Sequence, residues 1–307
     1  MVKVIDKEVL SSDKQHQLKG KVYIPDIPDG SPKGLLHVVH GMTEYIGRYD
    51  SFMRELAEYG YIVFGYDHLG HGSTATDDSE LGFIAHENGW ERLVDDAYRF
   101  GNSVQREYGA TLPFILMGHS MGSFIVRLTA AKYSHWDKLI IMGTGGSNPA
   151  SRIGLVLCRQ EIARKGERGY SDLLQTAAFG TYNNKFKSEN DPYAWLSVKK
   201  ENRDIYRKDK LCTYRFTNSA MYDLIMLNRL SNEKTWFRGM NKRKPILLLS
   251  GSDDPVGDNG KGVTKVYDRL KAAGANVSVK LYEGYRHEIL NDYCRDQVIA
   301  DIKKFID

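Results

Sequence analysis

A chain of 307 residues, 41% hydrophobic and with mean hydropathy −0.46, can bury one large α/β core plus an insertion, and has no apolar run approaching the roughly 18 residues a membrane-spanning helix needs. Met1-Val2-Lys3-Val4-Ile5-Asp6 lacks the apolar stretch of a signal peptide, and Cys158, Cys212 and Cys294 fit neither a metal-ligand spacing nor a disulfide framework, so a soluble cytoplasmic protein is expected. The net charge of +4 is uneven: residues 146–244 carry 20 Lys and Arg against 10 Asp and Glu, a net +10, and the remainder is −6.

In chain order, strand patterns fall at Lys3–Leu10, Gln17–Ile24, Leu35–His40, Tyr61–Asp67, Leu112–Met117, Lys138–Met142, Pro245–Ser250 and Val277–Tyr282. The first two flank a polar turn and read as an antiparallel hairpin, whereas the later runs are continuously apolar, as parallel strands covered on both faces should be. Helical patterns separate them at Arg48–Tyr59, Trp90–Tyr108, Gly122–Tyr133, Gly262–Ala273 and Glu288–Ile306. This alternation predicts a doubly wound, mostly parallel eight-stranded sheet with helices on both faces and ligands at the carboxyl ends of the strands.

The alternation stops between residues 146 and 244, where helical, aromatic and basic sequence predicts an inserted cap, leaving 1–145 and 245–307 as the core. Most of its aromatic residues, Phe179, Tyr182, Phe186, Tyr193, Trp195, Tyr206, Tyr214, Phe216 and Tyr222, are expected to pack a small core of the insertion's own, with some left to line a pocket. The excess positive charge favours anionic or neutral ligands and transient contact with anionic lipid surfaces. Nucleic acid is not expected, since no nucleic-acid motif accompanies the charge.

Gly118-His119-Ser120-Met121-Gly122 lies between the strand ending at Met117 and the helix from Gly122. In a strand, sharp turn and helix context, Gly-x-Ser-x-Gly exposes a serine hydroxyl and brings the free N–H groups of a helix start to it, so Ser120 is the candidate nucleophile. A hydroxyl needs a base. Of nine histidines only His287, in Gly284-Tyr285-Arg286-His287-Glu288, follows the last strand. The orienting carboxylate should fall between them, and the acidic turn Gly251-Ser252-Asp253-Asp254-Pro255 offers Asp254, held before a proline, ahead of Asp253 and Asp258. His40-Gly41-Met42 ends the third strand, so the oxyanion donors are expected to be the backbone N–H groups of Met42 and Met121. His68 and His71, in Asp67-His68-Leu69-Gly70-His71-Gly72, lack a third ligand and read as a structural turn, so no metal and no cofactor are expected.

Taken together, His40-Gly41-Met42-Thr43-Glu44 with Gly47-Arg48-Tyr49, Asp67-His68-Leu69-Gly70-His71-Gly72, the Ser120 pentapeptide, Asp253-Asp254-Pro255-Val256 and His287-Glu288 resemble, in that order, the α/β-hydrolase superfamily. The resemblance is specifically to its monoacylglycerol lipase and lysophospholipase branch, also labelled serine aminopeptidase-like, and it spans nearly the whole chain. It implies the α/β-hydrolase fold, a helical cap after the sixth strand, Ser120 as nucleophile, Asp254 orienting His287, and donors at Met42 and Met121. It also implies a small-molecule acyl ester substrate, with a medium or long acyl chain on glycerol or a lysophospholipid head group. An aminopeptidase of short peptides, an acyltransferase, and a ligand-binding protein on a hydrolase fold are the alternatives. The first would need a free acidic group in the insertion, for which Glu161, Glu167, Glu189 and Glu201 are the candidates.

Overall fold

The computed structural model describes residues 1–27 and 30–307. Eight strands, β1 (Lys3–Leu10), β2 (Gln17–Ile24), β3 (Leu35–Val39), β4 (Ile62–Tyr66), β5 (Phe114–His119), β6 (Lys138–Met142), β7 (Ile246–Gly251) and β8 (Val277–Tyr282), make one sheet in the order β1-β2-β4-β3-β5-β6-β7-β8. β2 is antiparallel to both β1 and β4, and every other pairing is parallel. The five mutually parallel inner strands, β3 to β7, are buried along almost their whole length, which is why they read as mainly apolar runs. β1 and β8, at the two edges, carry Lys3, Lys7 and Lys280 and stay partly exposed, which discourages edge-to-edge pairing.

Alternating side chains of each strand feed two cores. Leu36, Val38, Met117, Ile140 and Leu249 pack against α1 (Asp50–Glu58) and α10 (Arg295–Ile306). Leu35, Val39, Leu116, Leu139 and Leu248 pack on the opposite face against α2 (Gly89–Tyr108), α3 (Met121–Lys132) and α9 (Lys261–Ala272). Two helix starts differ from expectation. Ile46–Tyr49 forms a single 3-10 turn before α1. α10 begins at Arg295 and not Glu288, because Glu288 N–H is taken by Leu196 O (2.8 Å) and Asp292 accepts Ser197 Oγ (2.8 Å) and Val198 N–H (2.7 Å). Those bonds hold 288–292 against residues 196–198 in a non-helical path.

Between β6 and β7 the chain forms α4 (Ser151–Lys165), α5 (Asp172–Phe179), 3-10 turns at Asn184–Glu189 and Ala194–Leu196, α6 (Lys200–Lys208), α7 (Asn218–Ser231) and α8 (Lys234–Gly239). Ser171 caps α5 through Leu174 N–H and Thr217 caps α7 through Ala220 N–H. The expected separate core is small, comprising Leu196, Tyr206 and Cys212 with Tyr45, Tyr193 and Trp195 around them. Leu174, Phe216, Met221, Leu227, Trp236 and Phe237 instead join the main core, since α7 lies along α3 and α4. Arg127 of α3 anchors the points where the chain leaves and rejoins the core. Its buried guanidinium stacks on Trp236 and donates to Thr144 Oγ1, Gly145 O, Ser231 O and Asn232 Oδ1.

A second tie comes from Asp223 of α7, whose buried carboxylate accepts the Trp90 N–H (3.0 Å) in the first turn of α2. Burial outweighs the bonds from Trp90 and Gly89 and pushes this carboxyl up to about 7. A raised acid binds its proton in the folded chain at pH values where the unfolded chain has lost it. Its contribution to stability is therefore fully present below about pH 4 and is lost as pH rises from about 4 to about 7. Relative to Asp223→Asn, the wild-type protein should gain about 2–3 kcal/mol on going from pH 8 to pH 5. Urea unfolding of both proteins at the two pH values measures this, and an unchanged difference would mean that Asp223 titrates normally.

Candidate active site

β5 runs directly into α3 through Ser120, which sits at φ 54°, ψ −120°, a strained backbone for a residue with a Cβ. The residues two positions before and after it must be glycine. A Cβ on Gly118 would lie 2.2 Å from Gly122 O, and one on Gly122 would lie 2.1 Å from Val39 O. The turn is held by Ser120 N–H donating to Met142 O (3.0 Å) and Ser123 N–H donating to Ser120 O (2.9 Å). Met121 is the first residue of α3, so its N–H is one of the unpaired donors of a helix start. The loop after β3 passes against the serine: a Cβ on Gly41 would meet Ser120 Cβ at 2.9 Å. Met42 follows, and neither its N–H nor that of Met121 donates to a backbone carbonyl among the described residues.

His287 and Asp254 are both buried, with His287 Nδ1 2.9 Å from Asp254 Oδ2. Asp254 Oδ1 accepts Val256 N–H (2.9 Å), and Ser250 Oγ donates to Oδ2 (3.2 Å), so the carboxylate is fixed from three sides. Asp253 points elsewhere and pairs with Lys185, and Asp258 occupies a turn at φ 51°. The structure brings Ser120, His287, Met42 and Met121 to one cavity with Asp254 behind the histidine. Among the described residues, Ser120 Oγ makes no hydrogen bond to His287.

The cavity measures about 660 Å³ and lies at the carboxyl ends of β3, β5 and β7. Its walls include Leu157, Leu174, Ala178, Leu224 and Ile225 from α4, α5 and α7. Six of the nine aromatic residues singled out above, Phe179, Tyr182, Tyr193, Trp195, Tyr206 and Tyr214, border it, more than expected. Phe186, Phe216 and Tyr222 pack against Arg286, His71 and Arg159 instead. Trp195 lies 5.2 Å from the His287 ring. His68 and His71 are buried beside His40, with Gly70 and Gly72 at positive φ as the turn requires.

The family model for serine aminopeptidase, S33, matches residues 30–293. The chain belongs to the serine aminopeptidase S33 family. Human monoglyceride lipase is 29% identical over 266 residues, covering 85% of this chain and 77% of that one. Monoacylglycerol lipase of Mycolicibacterium smegmatis is 26% identical over 309 residues, covering 97% and 98%. The crystal structure of a thermostable carboxyl esterase from Bacillus coagulans in complex with glycerol superposes with TM-score 0.90 at 27% identity over 100% of both chains. The fold is that of the α/β hydrolases, and this S33 member is a serine hydrolase of the esterase and lipase type.

Beside the serine, the S33 chain carries a buried ionic cluster for which sequence reasoning assigned no roles. Arg48 donates to both oxygens of Glu288 (2.6 and 2.8 Å) and to Glu44 Oε2 (3.3 Å). Glu44 Oε1 accepts Gly41 N–H, Tyr49 Oη–H (3.0 Å) and His119 Nδ1 (3.2 Å). His119 Nε2 faces His287 O at 3.2 Å. Both ring nitrogens thus face acceptors, an arrangement that suits a positively charged imidazole. Burial opposes that charge, but the Glu44 carboxylate outweighs it and raises His119 above its usual value. Burial also works against ionised Glu288, yet Arg48 brings it down to about 2. The signal was the spacing of Glu44 and Arg48 in one conspicuous motif, with Glu288 directly after the base.

Proposed function

We propose that this S33 hydrolase cleaves acyl esters of small neutral alcohols, monoacylglycerols above all, with Ser120 as nucleophile, His287 as base and Asp254 as its orienting carboxylate. One observation carries the reading: a serine on a strained elbow and a histidine held by a buried carboxylate share a cavity whose far wall is apolar. His287 takes the proton of Ser120 as Oγ adds to the ester carbonyl, and the Met42 and Met121 N–H groups hold the resulting oxyanion. The tetrahedral adduct collapses by breaking the bond to the alcohol, which leaves with the proton from His287. Water, deprotonated by the same imidazole, then adds to the acyl-enzyme and releases the fatty acid and free Ser120. No cofactor enters the cycle.

The lining supports a neutral head group. Its one Lys or Arg side chain, Arg215, is exposed and paired with Asp172, so a lysophospholipid phosphate would have no free guanidinium or ammonium partner in the lining among the described residues. Its two carboxylates, Glu44 and Glu288, are spent on the cluster just described, which leaves no free carboxylate in the lining, among the described residues, to hold a peptide's terminal ammonium. Glu161, Glu167 and Glu189 are paired outside it, and Glu201, exposed on α6, does not line it either. The insertion, residues 146–244, is proposed to act as a cap. Val156 and Leu173 are exposed, as is Ile153, which borders the cavity and adjoins Arg152 in the chain, and this fits transient contact with anionic lipid surfaces.

The deciding experiment assays monoacylglycerols of increasing chain length, lysophospholipids and aminoacyl anilides side by side. Monoacylglycerol hydrolysis should exceed the others by at least about tenfold in kcat/KM, with activity on anionic vesicles falling as salt rises. Faster cleavage of the anilides would overturn the esterase reading. Transfer of the acyl group to added alcohol in preference to water would make the protein an acyltransferase.

A further inference from the structure

The reaction draws on two loops that the sheet does not hold together. The oxyanion loop follows β3 and the base loop follows β8, with β5, β6 and β7 lying between those strands. No backbone hydrogen bond joins residues 40–48 to 284–290 among the described residues. Side chains bridge the gap instead, by two parallel routes. One runs from Gly41 N–H through Glu44 and Arg48 to Glu288, the residue next to His287. The other runs from Glu44 through His119 to His287 O.

The bridge is also gripped from α6. Asn202 Nδ2 donates to Glu288 Oε2 (2.7 Å), and Tyr206 lies against the Arg48 guanidinium. Tyr206 Oη meets Thr43 Oγ1 (2.8 Å) and donates to Thr43 O (3.1 Å). Thr43 has φ +48°, a conformation a β-branched residue keeps only when its surroundings hold it there. That strained residue adjoins Met42, whose N–H direction decides whether it reaches the oxyanion.

We propose that Arg48 and Glu288 are positioning residues that set the distance between the oxyanion loop and the His287 loop, and that α6 completes the brace through Asn202 and Tyr206. The proposal rests on the triad reading above. Bidentate guanidinium–carboxylate pairing fixes both distance and angle, which a single hydrogen bond does not. A misplacement of about 1 Å in a reacting group costs on the order of 10²-fold in rate.

Glu288→Gln keeps the side-chain shape and one acceptor but loses the charge and the fork. Its kcat, divided by the active sites titrated to completion with a fluorophosphonate, should fall about 10- to 100-fold with KM within about threefold of wild type. Asn202→Ala removes only the α6 contact and should lower kcat per site about 3- to 10-fold, which decides the matter should Glu288→Gln not fold. A per-site kcat within twofold of wild type, with only the melting temperature lowered, would reduce the cluster to scaffolding. A raised KM at unchanged kcat would make it a head-group binder. Either result overturns the inference. Failure of the triad reading is separately visible, since wild-type protein would then not be labelled at Ser120.

Discussion

Ser120→Ala is expected to lower ester turnover by on the order of 10⁶-fold and to abolish fluorophosphonate labelling, with the fold unchanged. The size follows from what the substitution removes. Without Oγ no acyl-enzyme can form, and His287 is left with only water to activate at a distance set for a hydroxyl. The Met42 and Met121 N–H groups, proposed as oxyanion donors, and the cavity remain, so residual catalysis of about 10³–10⁴ over water should persist. Stability should change by less than about 1 kcal/mol, because Ser120 Oγ makes no hydrogen bond among the described residues and the elbow is held by the Ser120 and Ser123 N–H groups, which alanine leaves in place. Matching circular dichroism and melting temperature, with kcat under steady state and probe labelling on a gel, check this. Labelling that survives the substitution would place the nucleophile elsewhere.

How much of this could be seen in the sequence depended on whether the determining interactions were local. Inner strands covered on both faces are mainly apolar, with His37 in β3 an exception, and the elbow needs glycine at 118 and 122 because backbone atoms occupy the space of a Cβ. Both constraints write themselves into consecutive residues. The start of α10 does not. Residues 288–294 carry a helical pattern, but bonds from Leu196, Ser197 and Val198, nearly a hundred positions away, hold them out of the helix. The aromatic residues between β6 and β7 escaped for the same reason. Phe179 and Phe216 look alike in sequence, and only the packing of α7 on α3 sends one to the cavity and the other to His71.

The ionic cluster is a stronger case of the same limit. Glu44 and Arg48 stand four apart and could equally be a solvated surface pair, worth little. Their meaning comes from Glu288, 240 positions after Arg48, and from burial that leaves all three nearly inaccessible. A buried charge must be paired and hydrogen-bonded, so once two members are buried the third is required. Sequence could name the members of this set. Only the fold could say that they are one set.

Asp254→Asn should lower kcat by about 10⁴-fold while leaving KM within a few-fold of wild type. The reason lies in the bonds around the carboxylate. Val256 N–H donates to Oδ1, so an asparagine must keep its carbonyl oxygen there and turn its NH₂ toward His287 and Ser250 Oγ. Ser250 can accept that proton, but His287 Nδ1 now faces a donor and must become the acceptor. The imidazole proton moves to Nε2, the nitrogen that has to receive the proton of Ser120, and the base is blocked in the wrong tautomer with little change in shape. The rotated amide offers no escape, since it would set its NH₂ against Val256 N–H. Asp253→Asn is the control: its carboxylate pairs with Lys185 outside the triad, and its kcat should stay within about twofold of wild type. Steady-state kinetics on both variants, with the Nδ1 proton of His287 followed by NMR, separate the two acids. A loss below about tenfold for Asp254→Asn would remove it from the role of orienting group, and a large loss for Asp253→Asn would move that role to its neighbour.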